Sequence, residues 1–209
     1  LSTLVRKAIK KNIGGLESLI GVPGTVGGAL VMNAGAYGSE ISNFFTSANV
    51  INLKGEEKIY KKSDLQFRYR FSSFNKNEII TNIKFQCKKG NPNDIKNLRF
   101  KSSIKRKKAQ PLNFKSAGSI FKNPKNGPAA GFLIDNVGLK GLRIGGAEIS
   151  QKHANFIVNH GNAIASDVLE LIKIIKKEVY EKYKILLELE IKLVGFNELI
   201  IRELKNEKN

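Results

Sequence analysis

Five short segments of the sequence carry residue types that could do chemistry. In Tyr69-Arg70-Phe71-Ser72 an arginine stands beside aromatic residues just ahead of a strand. A guanidinium held there can clamp a carboxylate with two parallel hydrogen bonds. It can equally be an exposed basic loop, and Arg68 is a second candidate for the surface role. In Ser116-Ala117-Gly118-Ser119-Ile120-Phe121-Lys122-Asn123-Pro124, Ser119 follows a glycine and precedes an apolar pair, so its hydroxyl could project from a tight turn. The flanking residues lack the G-x-S-x-G elbow of a hydrolase, and only His153 and His160 could serve as a base. A turn serine bonded to its own backbone is the competing reading. In Leu187-Glu188-Leu189-Glu190-Ile191-Lys192-Leu193-Val194-Gly195 the two glutamates and Lys192 alternate onto one polar face. Such a face is commonly just solvated, but a glutamate at a strand end can tune a proton donor.

The remaining two segments read as binding surfaces. Gly138 to Asn159 mixes Arg143, Lys152, His153 and Asn155 with small residues, which suits a phosphate-and-sugar pocket or a surface loop. Gly21 to Gly38, GVPGTVGGALVMNAGAYG, brings glycines at 21, 24, 27 and 28. Without side chains the backbone can approach a ligand closely and offer its N–H groups; tight packing in a buried turn is the alternative. The spacing is not that of a dinucleotide fingerprint, and no valine-rich strand leads into it.

These segments need elements to position them. Apolar residues at helical spacing (Leu1, Leu4, Val5, Ile9) predict a helix over residues 1–11, stopped at Gly14-Gly15. Residues 46–53 and 58–61 around Lys54-Gly55 predict a hairpin, and 78–88 a further strand. Gly90-Asn91-Pro92-Asn93 breaks the chain, and Asn93 or Asp94 is expected to cap a basic helix running to about residue 108, ahead of Pro111. A domain boundary is placed near Gly90. Beyond it come a strand or loop at 119–121, a short helix at 129–136, strands at 143–149 and 155–159, and an amphipathic helix capped by Ser166 or Asp167. Val168, Leu171, Ile172, Ile175 and Val179 share one face of that helix. Residues 187–194 predict a last strand with Leu187, Leu189, Ile191 and Leu193 on one side, and 197–209 a charged tail that frays from Arg202. Mixed hairpins and helices predict an α+β fold.

Composition narrows the function classes. The 209 residues carry 36 Lys+Arg against 18 Asp+Glu and a single cysteine, Cys87. One cysteine excludes an internal disulfide and argues against a cysteine metal site. No stretch reaches the roughly 18 apolar residues of a spanning helix, and no signal peptide is recognisable at the start. A nucleic-acid-binding module is one reading of the basic excess, with Lys105-Arg106-Lys107-Lys108 its densest cluster. The excess is nearly all lysine, spread along the chain, with no helix-turn-helix, zinc-finger or RNA-binding signature beside it. A basic protein with anionic small-molecule ligands, no nucleic-acid partner and no membrane insertion is the expectation.

Taken together and in order, GVPGTVGGALVMNAGAYG, YRFS, AGSIFKNP, GLRIGGAEISQKHANFIVN and LELEIKLVG resemble the motifs of the UDP-N-acetylenolpyruvoylglucosamine reductase (MurB) family, in its shorter type II form. The resemblance runs from about Gly14 to Gly195. It implies part of an FAD-binding domain of the PCMH type (residues 1–88) followed by an α+β substrate-binding domain (89–196). The first flavin subdomain, with its G-G-G-S-N-type loop, is expected to be absent from this chain. The implied activity is NADPH-dependent, FAD-mediated reduction of the enolpyruvyl ether of UDP-N-acetylglucosamine to UDP-N-acetylmuramate, a cytoplasmic step of peptidoglycan synthesis, by a chain taken as a monomer. A fragment keeping only UDP-sugar binding is the runner-up. By resemblance Arg70, Ser119 and Glu190 are catalytic. Gly21, Pro23, Gly24, Gly27, Gly28, Asn33, Gly35, Ala36 and Tyr37 lie against the flavin, and Tyr69, Asn123, Lys108, Arg143 and His153 touch substrate. The family often carries a lysine directly before the Gln-Pro pair; here that position is Ala109, with Lys108 one step earlier.

Overall fold

The structure is a computed structural model and describes residues 1–205. It is built of two compact units, Leu1–Arg106 and Lys107–Asn209. The division falls inside the last turn of a long helix, not at the Gly90–Asn93 breaker.

In the first unit, helix α1 (Ser2–Lys10) buries Val5 and Ala8, and the next α-helix is the six-residue α2 (Val26–Val31). The sequence reading had only a glycine-rich stretch there. Two glycines inside a helix each cost about 1 kcal/mol relative to alanine. Two contacts offset this: Thr25 caps α2 by accepting the Gly28 N–H at 3.0 Å, and Ala29 and Leu30 bury their side chains. Strands β1 (Phe45–Asn52), β2 (Glu57–Lys61) and, after an intervening ribbon, β5 (Glu78–Phe85) form an antiparallel sheet in the order β2-β1-β5. The expected hairpin turns at Gly55, whose φ of 85° needs a glycine. The intervening ribbon pairs β3 (Phe67–Arg68) with β4 (Phe71–Ser72) around Tyr69-Arg70. Phe45, Phe67 and Phe74 pack edge to face beneath the sheet, with centroids 5.5 to 6.3 Å apart. The basic helix α3 (Pro92–Ala109) starts one residue before its expected caps. Asn91, not Asn93 or Asp94, caps it by accepting the N–H groups of both, and Pro92 takes the first helical position, where its missing N–H costs nothing.

The second unit is a four-stranded antiparallel sheet covered by a helix. Strands β6 (Lys115–Ser119), β7 (Arg143–Ile144), β8 (Ala147–Ile149) and β9 (Phe156–Asn159) lie in the order β6-β9-β8-β7. A short helix, α4 (Ala130–Asn136), precedes β7. Helix α5 (Ala165–Tyr183) places Leu171, Ile172, Ile175 and Val179 in the core with no exposed surface. Each such burial contributes about 1.5–3 kcal/mol. Asp167 is not the N-cap residue of α5, which is Ile164. It sits in the first turn, its carboxylate accepting the N–H groups of Ile164 at 3.0 Å and Gly146 at 3.1 Å, so it ties the helix start to the β7–β8 turn.

Two expectations at the C-terminal end give way. Residues 187–194 are no regular strand: a single bridge joins Phe121 to Leu189, although Leu187 is buried and Leu189, Ile191 and Leu193 pack on the core as the alternation required. The expected fraying tail begins instead as helix α6 (Glu198–Lys205), which buries Leu204; the part of that expectation covering 206–209 lies outside the described residues.

Candidate active site

Within the first unit the glycine-rich segment and the Arg70 hairpin are fastened together. The Asn33 side-chain amide donates to the Arg68 carbonyl at 3.0 Å, and the Ser72 hydroxyl donates to the Val31 carbonyl at 2.6 Å. The Tyr69-Arg70 turn is thereby held at both shoulders by the segment that the sequence singled out for cofactor contact. Arg70 itself has φ = 55°, the left-handed region where glycine or asparagine is the relaxed choice. Its guanidinium carbon lies 4.9 Å from the Tyr69 ring centroid.

The predicted cofactor residues divide by role. Gly21, Pro23, Gly24 and Gly28 are exposed, so this edge of the segment presents main chain to its surroundings. A side chain at Gly24 would meet nothing within 4 Å, whereas a Cβ at Gly27 would make ordinary contact with Ile80. Gly35 is a packing glycine, since a Cβ there would lie 2.9 Å from the Glu40 side chain. It pairs with Glu40, and Ala36 pairs with Ser39. Asn33 is fully buried, with its amide also donating to Glu40 at 2.7 Å and its oxygen accepting the Ser42 N–H at 3.4 Å. Its side chain shapes the segment from within, and Asn33 is a positioning residue. Tyr37 is exposed at φ = 54°, with the Lys105 ammonium 5.6 Å from its ring centroid.

In the second unit, Ser119 closes β6, just after Gly118 at φ = 86° and a register irregularity against β9. Next to it the chain is locked by Asn155, which is buried: its amide donates to the Phe121 carbonyl at 2.8 Å and its oxygen accepts the Phe121 N–H at 2.9 Å. Glu190 comes to the same place from the other end of the unit. Its N–H donates to the Ile120 carbonyl at 2.8 Å, and the Lys122 N–H donates to the Glu188 carbonyl at 2.8 Å. Lys122 also forms an ion pair with the Glu188 carboxylate. Ser119 and Glu190, 71 positions apart by subtraction of their numbers, are thus one residue removed from a shared hydrogen bond.

Asn123 and His153 join this neighbourhood through α4. The Asn123 side-chain oxygen accepts the Ala130 N–H at 3.0 Å, and a Cβ on Gly131 would lie 2.9 Å from the His153 ring. The His153 Nδ1 accepts the Asn155 N–H at 3.2 Å. Burial, reinforced by the charge of Lys140 and opposed by a backbone hydrogen bond, holds His153 below its ordinary pKa of 6.5. Arg143 does not join. It lies on β7, at the opposite edge of the sheet from Ser119, three strand spacings or roughly 14 Å away. Its Nε donates to the Gly145 carbonyl at 3.1 Å. Lys108 is exposed at the end of α3.

Two features escaped the sequence reading. One is the Asn155 clamp, where asparagine was only one polar residue of a mixed loop. The other is Arg106, read merely as part of a basic cluster. Its Cδ and Nε lie 3.3 and 3.7 Å from where a Gly21 Cβ would be, so Gly21 leaves the room Arg106 occupies. The Nε is buried with no hydrogen-bond partner among the described residues. Two open pockets lie elsewhere: one of about 380 Å³ between Ser116, Ile157 and Val168 in the second unit, and one of about 390 Å³ between Leu4, Ala8 and Cys87 in the first. Their walls are mainly apolar and include none of the predicted site residues.

The C-terminal part of the chain, residues 110–194, matches the profile of the UDP-N-acetylenolpyruvoylglucosamine reductase C-terminal domain. Along the sequence it is 47% identical over 191 residues to UDP-N-acetylenolpyruvoylglucosamine reductase of Exiguobacterium sibiricum, covering 91% of this chain and 62% of that protein. With the enzyme of the same name from Clostridioides difficile it shares 42% identity over 196 residues, 93% of this chain and 64% of the relative. The crystal structure of UDP-N-acetylenolpyruvylglucosamine reductase (MurB) from Thermus caldophilus superposes with a TM-score of 0.81 at 41% identity, over 91% of this chain and 68% of that one. Fold and likeness together define an α+β protein of a reductase lineage. The chain belongs to the UDP-N-acetylenolpyruvoylglucosamine reductase family. It spans 62% to 64% of the length of these curated relatives.

Proposed function

We propose that the chain is the substrate-reducing portion of a flavin-dependent UDP-N-acetylenolpyruvoylglucosamine reductase: residues 1–88 as the second flavin subdomain, 89–196 as the substrate domain, and NADPH as electron donor. The observation that carries this reading is the hydrogen bond from the Glu190 N–H to the carbonyl of Ile120, the residue after Ser119, in a chain of this family. The exposed main chain of Gly21, Gly24 and Gly28 and the unpartnered Arg106 Nε suit a flat, phosphorylated cofactor such as FAD. Gly21, Pro23, Gly24, Gly27, Gly28, Ala36 and Tyr37 would hold it, with Asn33 and Gly35 shaping the segment behind them. The bound flavin supplies hydride to the enolpyruvyl methylene carbon, and the protein supplies position and field.

The chain's own residues then manage charge and protons. Hydride addition to an enol ether drives negative charge onto the α-carbon and its carboxylate. Arg70, fixed by the Asn33 and Ser72 contacts, is suited to pair with that carboxylate and stabilise the charge. The Ser119 hydroxyl gives its proton to the α-carbon, completing the saturated lactyl ether. A serine is a weak acid in water, but a carbanionic carbon is a strong enough base to take its proton. Glu190 assists the charge stabilisation or orients the hydroxyl, and solvent returns the proton to the serine oxygen. Asn123 and His153 provide hydrogen bonds for the diphosphate and sugar, and Tyr69 a ring wall. Arg143, at the far sheet edge, takes no part in this assignment.

The test is stepwise. The chain is titrated with FAD, and NADPH oxidation is followed with and without the enolpyruvyl UDP-sugar. Ser119→Ala is expected to keep flavin reduction by NADPH and to slow substrate reduction by about 10²–10⁴-fold. Equal loss of both half-reactions would remove Ser119 from its role, and a chain that neither binds flavin nor turns over would leave UDP-sugar binding as the surviving reading.

A further inference from the structure

The main chain that carries Glu190 belongs to no ladder. Among the described residues, its segment meets the end of β6 through one bridge, Phe121 to Leu189. Two backbone hydrogen bonds flank that bridge, from the Glu190 N–H to the Ile120 carbonyl and from the Lys122 N–H to the Glu188 carbonyl, each at 2.8 Å. The Glu190 backbone therefore takes its position from residues 120–122. The sheet alone specifies those residues loosely. The register of β6 against β9 shifts between Ser116 and Ser119, and Gly118 stands at φ = 86°.

Asn155, just ahead of β9, fixes them from the other side. It is 4% exposed. Its backbone carbonyl accepts the Ile120 N–H at 2.9 Å. Its side-chain oxygen accepts the Phe121 N–H at 2.9 Å, and its amide donates to the Phe121 carbonyl at 2.8 Å. Only one orientation of the carboxamide satisfies both. A donor and an acceptor engaged on one residue fix it in rotation as well as in position. A neighbouring strand does this with its backbone; here a side chain does it. The Asn155 N–H also donates to His153 Nδ1 at 3.2 Å, so the residue is tied to the proposed substrate side as well.

We propose that Asn155 is the positioning residue of this site: its carboxamide holds residues 120–122 as the common base that keeps Ser119 and Glu190 in register with each other. The inference rests on the reading of Ser119 as proton donor and Glu190 as its partner. Asn155 takes part in no proton transfer and acts through the backbone of Phe121.

The chain reconstituted with FAD is followed in two half-reactions, flavin reduction by NADPH and flavin reoxidation by the enolpyruvyl UDP-sugar. Amide hydrogen exchange is measured separately, without ligand. Asn155→Ala is expected to slow reoxidation by about 100-fold, the scale of a misplacement of about 1 Å, with flavin reduction unchanged. The Phe121, Lys122 and Glu190 amides are expected to exchange about tenfold faster, while those of Ile172 and Ile175 keep their protection. Asn155→Asp separates positioning from bulk stability. Protonated, its carboxyl offers a donor and an acceptor in the places of the amide; ionised, it turns an acceptor toward the Phe121 carbonyl. Its reoxidation rate, as a ratio to that of the unmodified chain, is expected to rise as pH falls from about 8 and to approach one near about pH 6, because burial favours the protonated carboxyl. His153 and the Lys122–Glu188 ion pair are present in both chains, so the ratio cancels their titration. Undiminished reoxidation in Asn155→Ala, an equal slowing of both half-reactions, unchanged protection of the Glu190 amide, or an Asp variant still slow at the acid end overturns the proposal. An unmodified chain that binds no FAD, or reoxidises none with the sugar, overturns the donor reading instead. Faster Glu190 exchange in Asn155→Ala then still assigns the clamp to Asn155, and unchanged exchange removes it. Should Asn155→Ala lose its fold by circular dichroism, Asn155→Asp carries both measurements.

Discussion

His153 shows at the scale of one residue how an environment sets chemistry. Its ring is packed against Phe156 at 4.9 Å between centroids and against the first turn of α4. Burial, with Lys140 adding to it, depresses its pKa below 6.5. A depressed value means that the unfolded chain binds the proton more readily than the folded one. Stability is then full above the unfolded pKa and declines as pH falls through it toward the folded value. The urea midpoint of the second unit is expected to be level above about pH 7 and to drop as pH falls below about 6.5. His153→Gln should flatten that drop; an unchanged slope in the variant would assign it to other groups. Asn155 illustrates the opposite case, a neutral side chain whose whole hydrogen-bonding capacity toward Phe121 is fixed, leaving no freedom to titrate or to move.

At the scale of elements, α5 depends on a residue outside the core. Asp167 bonds both the helix entry at Ile164 and the turn at Gly146. Asp167→Ala is expected to cost about 1 kcal/mol, within a usual range of 0.5–2, and to lower the thermal midpoint by about 4–8 °C. A smaller shift would mean that the amides find other acceptors. Elements of this kind were mostly legible in the sequence. The periodicity of Leu1, Leu4, Val5 and Ile9, and of Leu171, Ile172, Ile175 and Val179, reflects burial directly, because a helix has one inward face. Caps were read two to three residues off, since Asn91, Asn93 and Asp94 all have capping side chains and only the backbone path chooses among them. Helix α2 was hidden because Gly27 and Gly28 oppose helix on propensity, while the cap and burial that outweigh it are tertiary. The closing segment was half legible: alternation gave its apolar side correctly, but ladder pairing depends on a partner that only Phe121 supplies. Of the site, residue types were visible and adjacency was not. Nothing local in Arg106 announces that Gly21 will cover it.

The whole molecule carries a formal charge of +18, spread over both units. For a protein whose proposed ligands are phosphorylated, that field speeds encounter and is screened by salt over a Debye length of about 10 Å at 0.1 M. Association of UDP with the chain is expected to slow by about tenfold between low and moderate salt, while uridine, without phosphate, keeps its rate. Stopped-flow measurement of both decides the matter, and an equal salt effect on the two would show that the field plays no part in capture. The glycine-rich face responds to a different kind of change. Five residues of the stretch from Gly21 to Gly38 hold left-handed dihedrals: Gly21, Gly24, Asn33, Tyr37 and Gly38. The contour of this face is therefore written in torsion angles rather than in side chains. A surface of that kind is hard to retune by point substitution, because an ordinary residue at a left-handed position reshapes the path instead of adding a contact. Divergence in what such a protein accepts must accumulate around the rim, in the Tyr69-Arg70 turn and the last turns of α3, while the glycine-rich path between them stays as it is.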